Sequence, residues 1–143
     1  MKLYEFAPTR SIRVRWTLQE LAVDFEAIPV NMFAGEHRSP TFLKINPAGK
    51  LPVLVDGDMV LTESIAIVLY LAEKYRDKGL IPTDLQHRAQ LMRWLLFTTT
   101  ELEQPLWPSP AIQRFTQRAS GCLASWRLRA TILRKWRMYS KST

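Results

Sequence analysis

One short stretch, residues 46–65, constrains the fold more than any other part of the chain. Residues 53–55 form a Val-Leu-Val run that is typical of a buried strand. The Asp56-Gly57 pair supplies the residues that a two-residue hairpin takes at positive φ, and residues 59–61 then predict the returning strand. The stretch therefore predicts an antiparallel hairpin, and the Pro and Gly residues just before it interrupt whatever element precedes.

A helix is predicted directly after this hairpin. Thr62, Glu63 and Ser64 offer capping oxygens at its start. Apolar residues at helical spacing follow: Ile65, Val68, Leu69 and Ala72. Ser64 lies where exposed helix N–H groups and the helix dipole would hold a carboxylate, so the helix start is a candidate anion site.

Pro52 opens a strand that otherwise has a buried pattern, and proline fits there only at the first strand residue or at a sheet edge. A cis Leu51–Pro52 bond would turn the main-chain groups of Leu51 and Val53 outward, although the sequence leaves the isomer open. Together with Ser64, this proline suggests that the stretch forms a binding site as well as a scaffold.

The runs GKLPVLVDGD and LTESIAI resemble the glutathione-binding half of cytosolic glutathione transferases, nearest in style to the theta, phi and bacterial classes. The resemblance implies that Pro52 is cis and that Leu51, Pro52 and Val53 contact glutathione, with Val53 pairing through its main chain to the cysteinyl part. It also implies that Glu63 and Ser64 hold the γ-glutamyl carboxylate and amine. Glutathione would then be the co-substrate.

The elements around this stretch complete the predicted fold. They are a strand over 2–6, a helix from the polar turn at 9–11 to about 22, a strand over 26–31, and an irregular connection with one helical turn over 33–45. The order is βαβαββα with a mixed four-stranded sheet, which is an α/β thioredoxin-like arrangement and also the first domain of the family. We expect this glutathione-binding domain to cover residues 1–78.

The rest of the chain predicts a truncated all-α domain. Residues 79–108 indicate a linker and the first helix of the family's helical domain, with Thr83 or Asp84 as its cap. Its core-facing residues are expected to be Leu91, Met92, Leu95, Leu96, Thr99 and Leu102. Residues 109–143 no longer resemble the family and hold eight of the 20 Lys and Arg residues without any Asp or Glu. We interpret this basic tail as out-of-frame or truncated sequence, and a tail that binds nucleic acid or anionic lipid is the alternative.

The chemistry that the resemblance implies is conversion of the bound thiol to a thiolate. A free thiol has a pKa near ~8.5, and a hydroxyl hydrogen bond at a helix start lowers that pKa. The expected hydroxyl is that of Thr9 or of Ser11, and the choice between them stays open, as does simple helix capping by either residue. The family more often has Ser or Tyr at this position. Arg10 and Arg13 would add positive potential if they point inward.

Two further residues are assigned by the resemblance alone. His37, in a Gly-Glu-His segment, would contact the glycyl carboxylate of glutathione, and Lys50 would neutralise the same group. Two His residues and the single Cys122 give no metal-ligand cluster, and no Cys-x-x-Cys follows the first strand, so a dithiol mechanism lacks its nucleophile. The lone cysteine and the absence of a signal-peptide core or a membrane-length apolar run lead us to expect a cytoplasmic protein.

The expected function is that of a glutathione transferase. The thiolate would attack a hydrophobic electrophile, as in detoxification, and the incomplete helical domain would impair this activity. We expect a homodimer through the third and fourth helices, no membrane association, and no nucleic-acid partner except through the basic tail. The alternative from another class is a non-catalytic transferase-fold module that binds a protein.

Overall fold

The computed structural model describes residues 1–7 and 9–106. Its strands and helices, in chain order, are β1 Lys2–Glu5, α1 Ser11–Glu20, β2 Glu26–Pro29, α2 Pro40–Ile45, β3 Val53–Asp56, β4 Met59–Thr62, α3 Ser64–Lys74 and α4 Leu85–Leu96. Two 3₁₀ turns lie at Glu36–Arg38 and Arg76–Lys78, and a π-helical segment at Phe97–Glu103 continues α4 into the short helix α5 at Gln104–Leu106. From β1 to α3 the order is βαβαββα, so the predicted order is confirmed.

The strands form one mixed sheet in the order β2-β1-β3-β4. β1 runs parallel to β2, whereas β3 is antiparallel to both β1 and β4. A parallel pair needs a crossover connection, which α1 supplies. Leu3 lies opposite Leu54 and Tyr4 opposite Val53 where β1 and β3 pair at the centre. The thioredoxin-like fold that the resemblance implied is confirmed.

Both faces of the sheet are buried, because successive strand residues point to opposite sides. Leu3 and Leu54 belong to the cluster packed against α1 and α3, whose other fully buried members are Val14, Leu18, Leu21, Ile67 and Leu71. On the opposite face Val53 packs with Val30 and with Phe42 of α2. A fully buried side chain of this size contributes about 1.5–3 kcal/mol, so the two clusters fix β3 in the middle of the domain.

The connection before β3 is more regular than the sequence predicts. Residues 36–45 contain a 3₁₀ turn and the six-residue helix α2. The Ser39 hydroxyl accepts a hydrogen bond from the Phe42 amide at 3.2 Å, and Pro40 occupies the first turn. The helical turn predicted within this connection is therefore confirmed as α2, and only the irregular remainder is overestimated, although the Ser-Pro pair is a helix-start signal visible in the sequence.

The hairpin forms as predicted, but its turn lies one residue later. Asp56 pairs with Met59 at the end of the ladder, which leaves Gly57 and Asp58 as the turn residues. Gly57 has φ +60°, and Asp56 belongs to β3. The prediction of Asp56-Gly57 as the turn pair is therefore wrong, since the strand pairing rather than the dipeptide sets the register.

The starts of α1 and α3 also differ from the prediction. Arg10 occupies the N-cap position of α1 and Glu63 that of α3, and neither of these two side chains makes a cap hydrogen bond. Glu63 has φ +67°, a conformation in which its main chain turns sharply into the helix. Thr9, one residue before this N-cap, does contact the start of α1, because its Oγ1 accepts a hydrogen bond from the Ser11 amide at 3.2 Å, as the capping prediction allowed. The predicted capping of α3 by the Glu63 side chain is wrong.

The start of α4 agrees with the prediction and its far end does not. The Asp84 carboxylate accepts a hydrogen bond from the His87 amide at 2.9 Å, which confirms Asp84 as the cap.

Four of the expected core-facing residues are half-buried: Leu91, Met92, Leu95 and Thr99. Leu96 is 61% exposed and Leu102 50%, so their predicted burial is wrong within the described part of the chain. The wider π-helical turn shifts Leu102 off the face that Leu95 defines. The predicted basic tail, residues 109–143, lies outside the described residues.

Candidate functional site

A cleft opens between the loop that precedes β3 and the start of α3. Its lining residues are Arg10, Asn46, Ala48, Lys50, Leu51, Pro52, Thr62, Glu63 and Ser64. Five of the residues predicted to bind glutathione are therefore brought together here, from two segments more than ten residues apart. The other predicted residues, Thr9, Ser11, His37 and Val53, are not among the lining residues.

The floor of the cleft is the loop that leads into Pro52. The Leu51–Pro52 peptide bond is cis, as the resemblance implied. Asn46 is 5% exposed, and its Nδ2 donates to the Lys50 carbonyl at 2.8 Å while its Oδ1 accepts from the Ala48 amide at 3.1 Å. One buried amide side chain thus holds two points of the loop, Ala48 and Lys50, and no local pattern in the sequence marks this asparagine.

Gly49 closes the same loop against the neighbouring segment. It has φ +60°, and a Cβ at this position would lie 3.0 Å from the His37 carbonyl oxygen and 3.1 Å from the Arg38 guanidinium. A larger residue would therefore have to push the two segments apart.

His37 is half-buried in the 3₁₀ turn beside this loop and does not line the cleft. Its Nδ1 is a buried atom without a hydrogen-bond partner among the described residues. Its contact with the glycyl carboxylate stays a prediction.

Ser64 lines the cleft, whereas Val53 does not. The Val53 side chain is fully buried in the sheet, so only its main chain could reach a ligand. Ser64 is the first residue of α3 and is 5% exposed, and its Oγ accepts a hydrogen bond from Arg13 Nη1 at 3.0 Å. The preceding Glu63 is exposed to solvent.

An ionic cluster lies behind Ser64. Glu103, in the π-helical segment, accepts a hydrogen bond from Arg10 Nε at 2.9 Å and forms an ion pair with Arg13. Gln104 Oε1 accepts a further hydrogen bond from Arg10 at 2.9 Å. Burial lowers the pKa of Arg13 from its usual value, and the charge of Arg10 lowers it further. Arg10 thus lines the cleft, and Arg13 contacts Ser64, which also lines it. Both arginines are paired with Glu103, about 90 residues away in sequence, and local patterns could not reveal that pairing.

The two candidate hydroxyls hydrogen-bond to each other. Thr9 Oγ1 donates to the Phe6 carbonyl, which can only accept, so in the 2.7 Å contact between Thr9 Oγ1 and Ser11 Oγ the proton comes from Ser11. Ser11 Oγ also accepts from the Phe6 amide at 3.3 Å. Ser11 is 1% exposed, whereas Thr9 is half-buried. Thr9 is therefore the more accessible of the two hydroxyls; it precedes Arg10, which lines the cleft, but is not itself among the lining residues.

The structure offers no metal centre in residues 1–7 and 9–106, where three or more His, Cys, Asp or Glu side chains are nowhere grouped for binding an ion. None of the helices in that same part of the chain is long and apolar enough to cross a membrane.

Comparison with known proteins agrees with the fold. The family model for the glutathione S-transferase N-terminal domain matches residues 1–73. A glutathione S-transferase of Dianthus caryophyllus is 49% identical over 90 residues, which are 62% of this chain and 41% of that protein. The crystal structure of glutathione transferase F2 from Populus trichocarpa aligns with a TM-score of 0.65 and 39% identity over 69% of this chain and 48% of that one.

A glutathione transferase homologue from Sulfitobacter, solved with bound glutathione, aligns with a TM-score of 0.65 and 25% identity over 83% of this chain and 62% of that one. The chain spans 41% of the length of its Dianthus relative and 48% of the poplar protein, so what it shares with them lies mainly in the N-terminal domain. Through that domain, the chain belongs to the glutathione S-transferase family.

Proposed function

We propose that the cleft between the 46–52 loop and α3 binds glutathione and that the chain uses the bound thiol as a nucleophile. The observation that carries this proposal is the convergence of Lys50, the Leu51 main chain and Ser64 on one cleft. Glutathione is a tripeptide with a carboxylate at each end and a thiol between them. A site for it needs two anion-binding ends, and the cleft provides a cation from Lys50 and a hydroxyl at a helix start from Ser64.

The two ends of the ligand have distinct partners in this proposal. Ser64 and the N–H groups at the start of the 11-residue helix α3 bind the γ-glutamyl carboxylate, and the exposed Glu63 binds the γ-glutamyl amine. Lys50 binds the glycyl carboxylate, with His37 beside it. The main chain at Leu51 and Val53 pairs with the cysteinyl residue, so the thiol lies toward the β1–α1 turn.

Thr9 is then the group that stabilises the thiolate. Its hydroxyl proton is held by the Phe6 carbonyl, and a rotation of the O–H bond would redirect it to sulfur. Ser11 would keep donating to Thr9 Oγ1, which polarises the Thr9 hydroxyl and strengthens its bond to an anion. We therefore assign the direct contact to Thr9 and a supporting contact to Ser11.

The reaction proposed is conjugation. The sulfur anion forms a bond to an electrophilic carbon of a hydrophobic molecule, and the leaving group departs with the electron pair of the bond that breaks. Several apolar residues are exposed on α4 and the π-helical segment: Trp94, Leu96, Phe97 and Leu102. We propose that they bind the hydrophobic electrophile or pack against further helices. We also propose a cytoplasmic homodimer, on the family resemblance alone.

A second candidate function follows from the Thr9 geometry. Because the Thr9 proton is bonded to the Phe6 carbonyl and Ser11 is buried, the same cleft could bind glutathione without activating its thiol. The chain would then be a non-catalytic module that uses the transferase fold for binding.

Calorimetric titration with glutathione tests the binding proposal. We expect the wild-type chain to bind and Ser64→Ala to bind about tenfold more weakly, because a hydrogen bond to a charged group contributes about 1.5–3 kcal/mol. Asp58→Ala, in the hairpin turn away from the cleft lining, is the matched control and should leave the affinity unchanged. Absence of binding by the wild-type chain would refute the proposal, and binding with an unshifted thiol pKa would favour the non-catalytic module.

A further inference from the structure

The contact between Arg13 and Ser64 determines what the serine hydroxyl can do. Arg13 Nη1 lies 3.0 Å from Ser64 Oγ. A guanidinium has only donors, so the serine oxygen must accept this hydrogen bond. A hydroxyl carries a single proton, and with a lone pair occupied by Arg13 that proton is left to donate elsewhere. Ser64 also lines the cleft, where a ligand could accept that proton.

Arg13 is held in this position from its other side. Glu103 forms an ion pair with Arg13 and accepts from Arg10 Nε at 2.9 Å. The side chains are only partly open to solvent, with Glu103 at 22% exposure and Arg13 at 25%. A pair at this depth is less screened than one on the surface, and the planar guanidinium loses little freedom when it is fixed between two partners. Glu103, Arg13 and Ser64 therefore form a continuous chain of contacts from the π-helical segment to the cleft.

We propose that Glu103 and Arg13 are positioning residues, which fix the Ser64 hydroxyl as a hydrogen-bond donor toward a ligand carboxylate in the cleft. This inference rests on the proposed function, in which that carboxylate belongs to the γ-glutamyl residue of glutathione. Neither residue touches the reacting sulfur. They affect ligand binding only by fixing the direction in which the Ser64 hydroxyl proton points.

A substitution at Glu103 separates the positioning role from a simple effect of charge, because the two predict opposite changes in glutathione affinity. Glu103→Gln removes a negative charge near an anionic ligand, so Coulomb's law by itself predicts tighter binding. Positioning predicts weaker binding, because Arg13 loses its ionic anchor and Ser64 loses the bond that orients its proton. The sign of the change therefore separates the two explanations.

The experiment is a calorimetric titration of the full chain with glutathione at neutral pH. We expect Arg13→Gln to weaken binding about tenfold or more, in line with the loss of one hydrogen bond to a charged group. We expect Glu103→Gln to weaken it less, about three- to tenfold, because Glu103 acts only through Arg13. Arg13→Lys, which keeps the charge and a donor, should recover part of the loss. Glu101→Gln, an exposed acid in the same π-helical segment, is the matched control and should change the affinity less than twofold.

Two further titrations give readouts that a general loss of structure would not produce. On a Ser64→Ala background, Glu103→Gln should weaken binding less than twofold, because the residue through which it acts is gone. With a glutathione analogue whose γ-glutamyl α-carboxylate is an amide, the loss caused by Glu103→Gln should also vanish. If Glu103→Gln is too unstable to titrate, Glu103→Asp keeps the charge but shortens its reach, and it should still weaken binding at least threefold.

Each outcome has a defined meaning. Unchanged or tighter binding by the Glu103 variants, or an equal loss with the amide analogue, overturns the positioning role while wild-type binding of glutathione leaves the proposed function intact. A wild-type chain that does not bind glutathione overturns the proposed function, and the positioning role with it. Thermal unfolding of each variant shows whether the protein titrated is folded.

Discussion

Replacing Asn46 by alanine would remove the two side-chain hydrogen bonds that hold the loop before Pro52. The amide nitrogen lies 2.8 Å from the Lys50 carbonyl oxygen, the amide oxygen lies 3.1 Å from the Ala48 nitrogen, and the residue is 5% exposed. Alanine would leave both main-chain groups without these partners at positions that are only partly open to solvent, since both hydrogen bonds are partly buried. At about 1–2 kcal/mol for each group left unpaired, the free energy of unfolding should fall by about 2–4 kcal/mol.

The chain offers a matched control for this substitution. Asn31 also makes two hydrogen bonds through its side-chain oxygen, to the Phe33 amide at 3.0 Å and to the Ala34 amide at 3.1 Å, but it is exposed. Water can replace its side chain, so Asn31→Ala should cost less than about 1 kcal/mol. The difference between the two variants isolates the contribution of burial from that of the number of hydrogen bonds.

Urea denaturation followed by circular dichroism measures both variants. We expect Asn46→Ala to lower the midpoint with an unchanged m value, and to lower Tm by roughly 8–16 °C at ~4 °C per kcal/mol. The affinity for glutathione should fall as well, because Lys50 and Leu51 line the cleft. If the stability of Asn46→Ala lies within about 0.5 kcal/mol of that of Asn31→Ala, the reasoning about the buried loop is refuted.

Two other substitutions test different parts of the fold. Gly49→Ala should cost about 1–3 kcal/mol in urea denaturation, more than Gly57→Ala, because both residues have φ +60° but only at Gly49 does a Cβ meet neighbouring atoms at 3.0–3.2 Å; equal costs would show that the close approach is unimportant. At Asp56, hydrogen bonds from Lys74 and Tyr70 lower the pKa of the carboxyl below its usual value. The folded state thus favours the ionised form, so the stabilisation is present above the unfolded pKa of ~3.9 and is lost as pH falls through the lower folded value. Asp56→Asn should flatten the dependence of unfolding free energy on pH in that acidic range, and an unchanged slope would contradict the assignment.

Features set by neighbouring residues could be predicted from the sequence. The Val-Leu-Val run, the returning strand and the helix after Ser64 all depend on contacts within a few residues, and the structure contains each of them. The cis bond before Pro52 was implied by the resemblance and not by the residues themselves. The hairpin turn lies one residue later than predicted, because the pairing of Asp56 with Met59, rather than the Asp56-Gly57 dipeptide, sets its register.

Features that need distant residues could not be predicted. Glu103 reaches Arg10 across 93 positions, and Arg13 reaches Ser64 across 51, so no spacing rule links them. Leu102 is exposed because a π-helical turn interrupts the α-helical period, and the sequence does not mark that turn. Asn46 looked like an ordinary turn residue, and its role appears only when the loop is seen closing on Lys50.

The thiol pKa of bound glutathione is the quantity that shows whether the Thr9 hydroxyl activates the sulfur. It is measured by following the ultraviolet absorbance of the thiolate across pH in the complex with the wild-type chain, with Thr9→Ser and with Thr9→Val. We predict a pKa below ~8.5 for the wild-type chain and for Thr9→Ser, and a return to about the free value for Thr9→Val, because valine keeps the shape but cannot donate a hydrogen bond. A bound thiol with the free pKa in the wild-type chain, or one whose lowered pKa survives in Thr9→Val, would contradict the account.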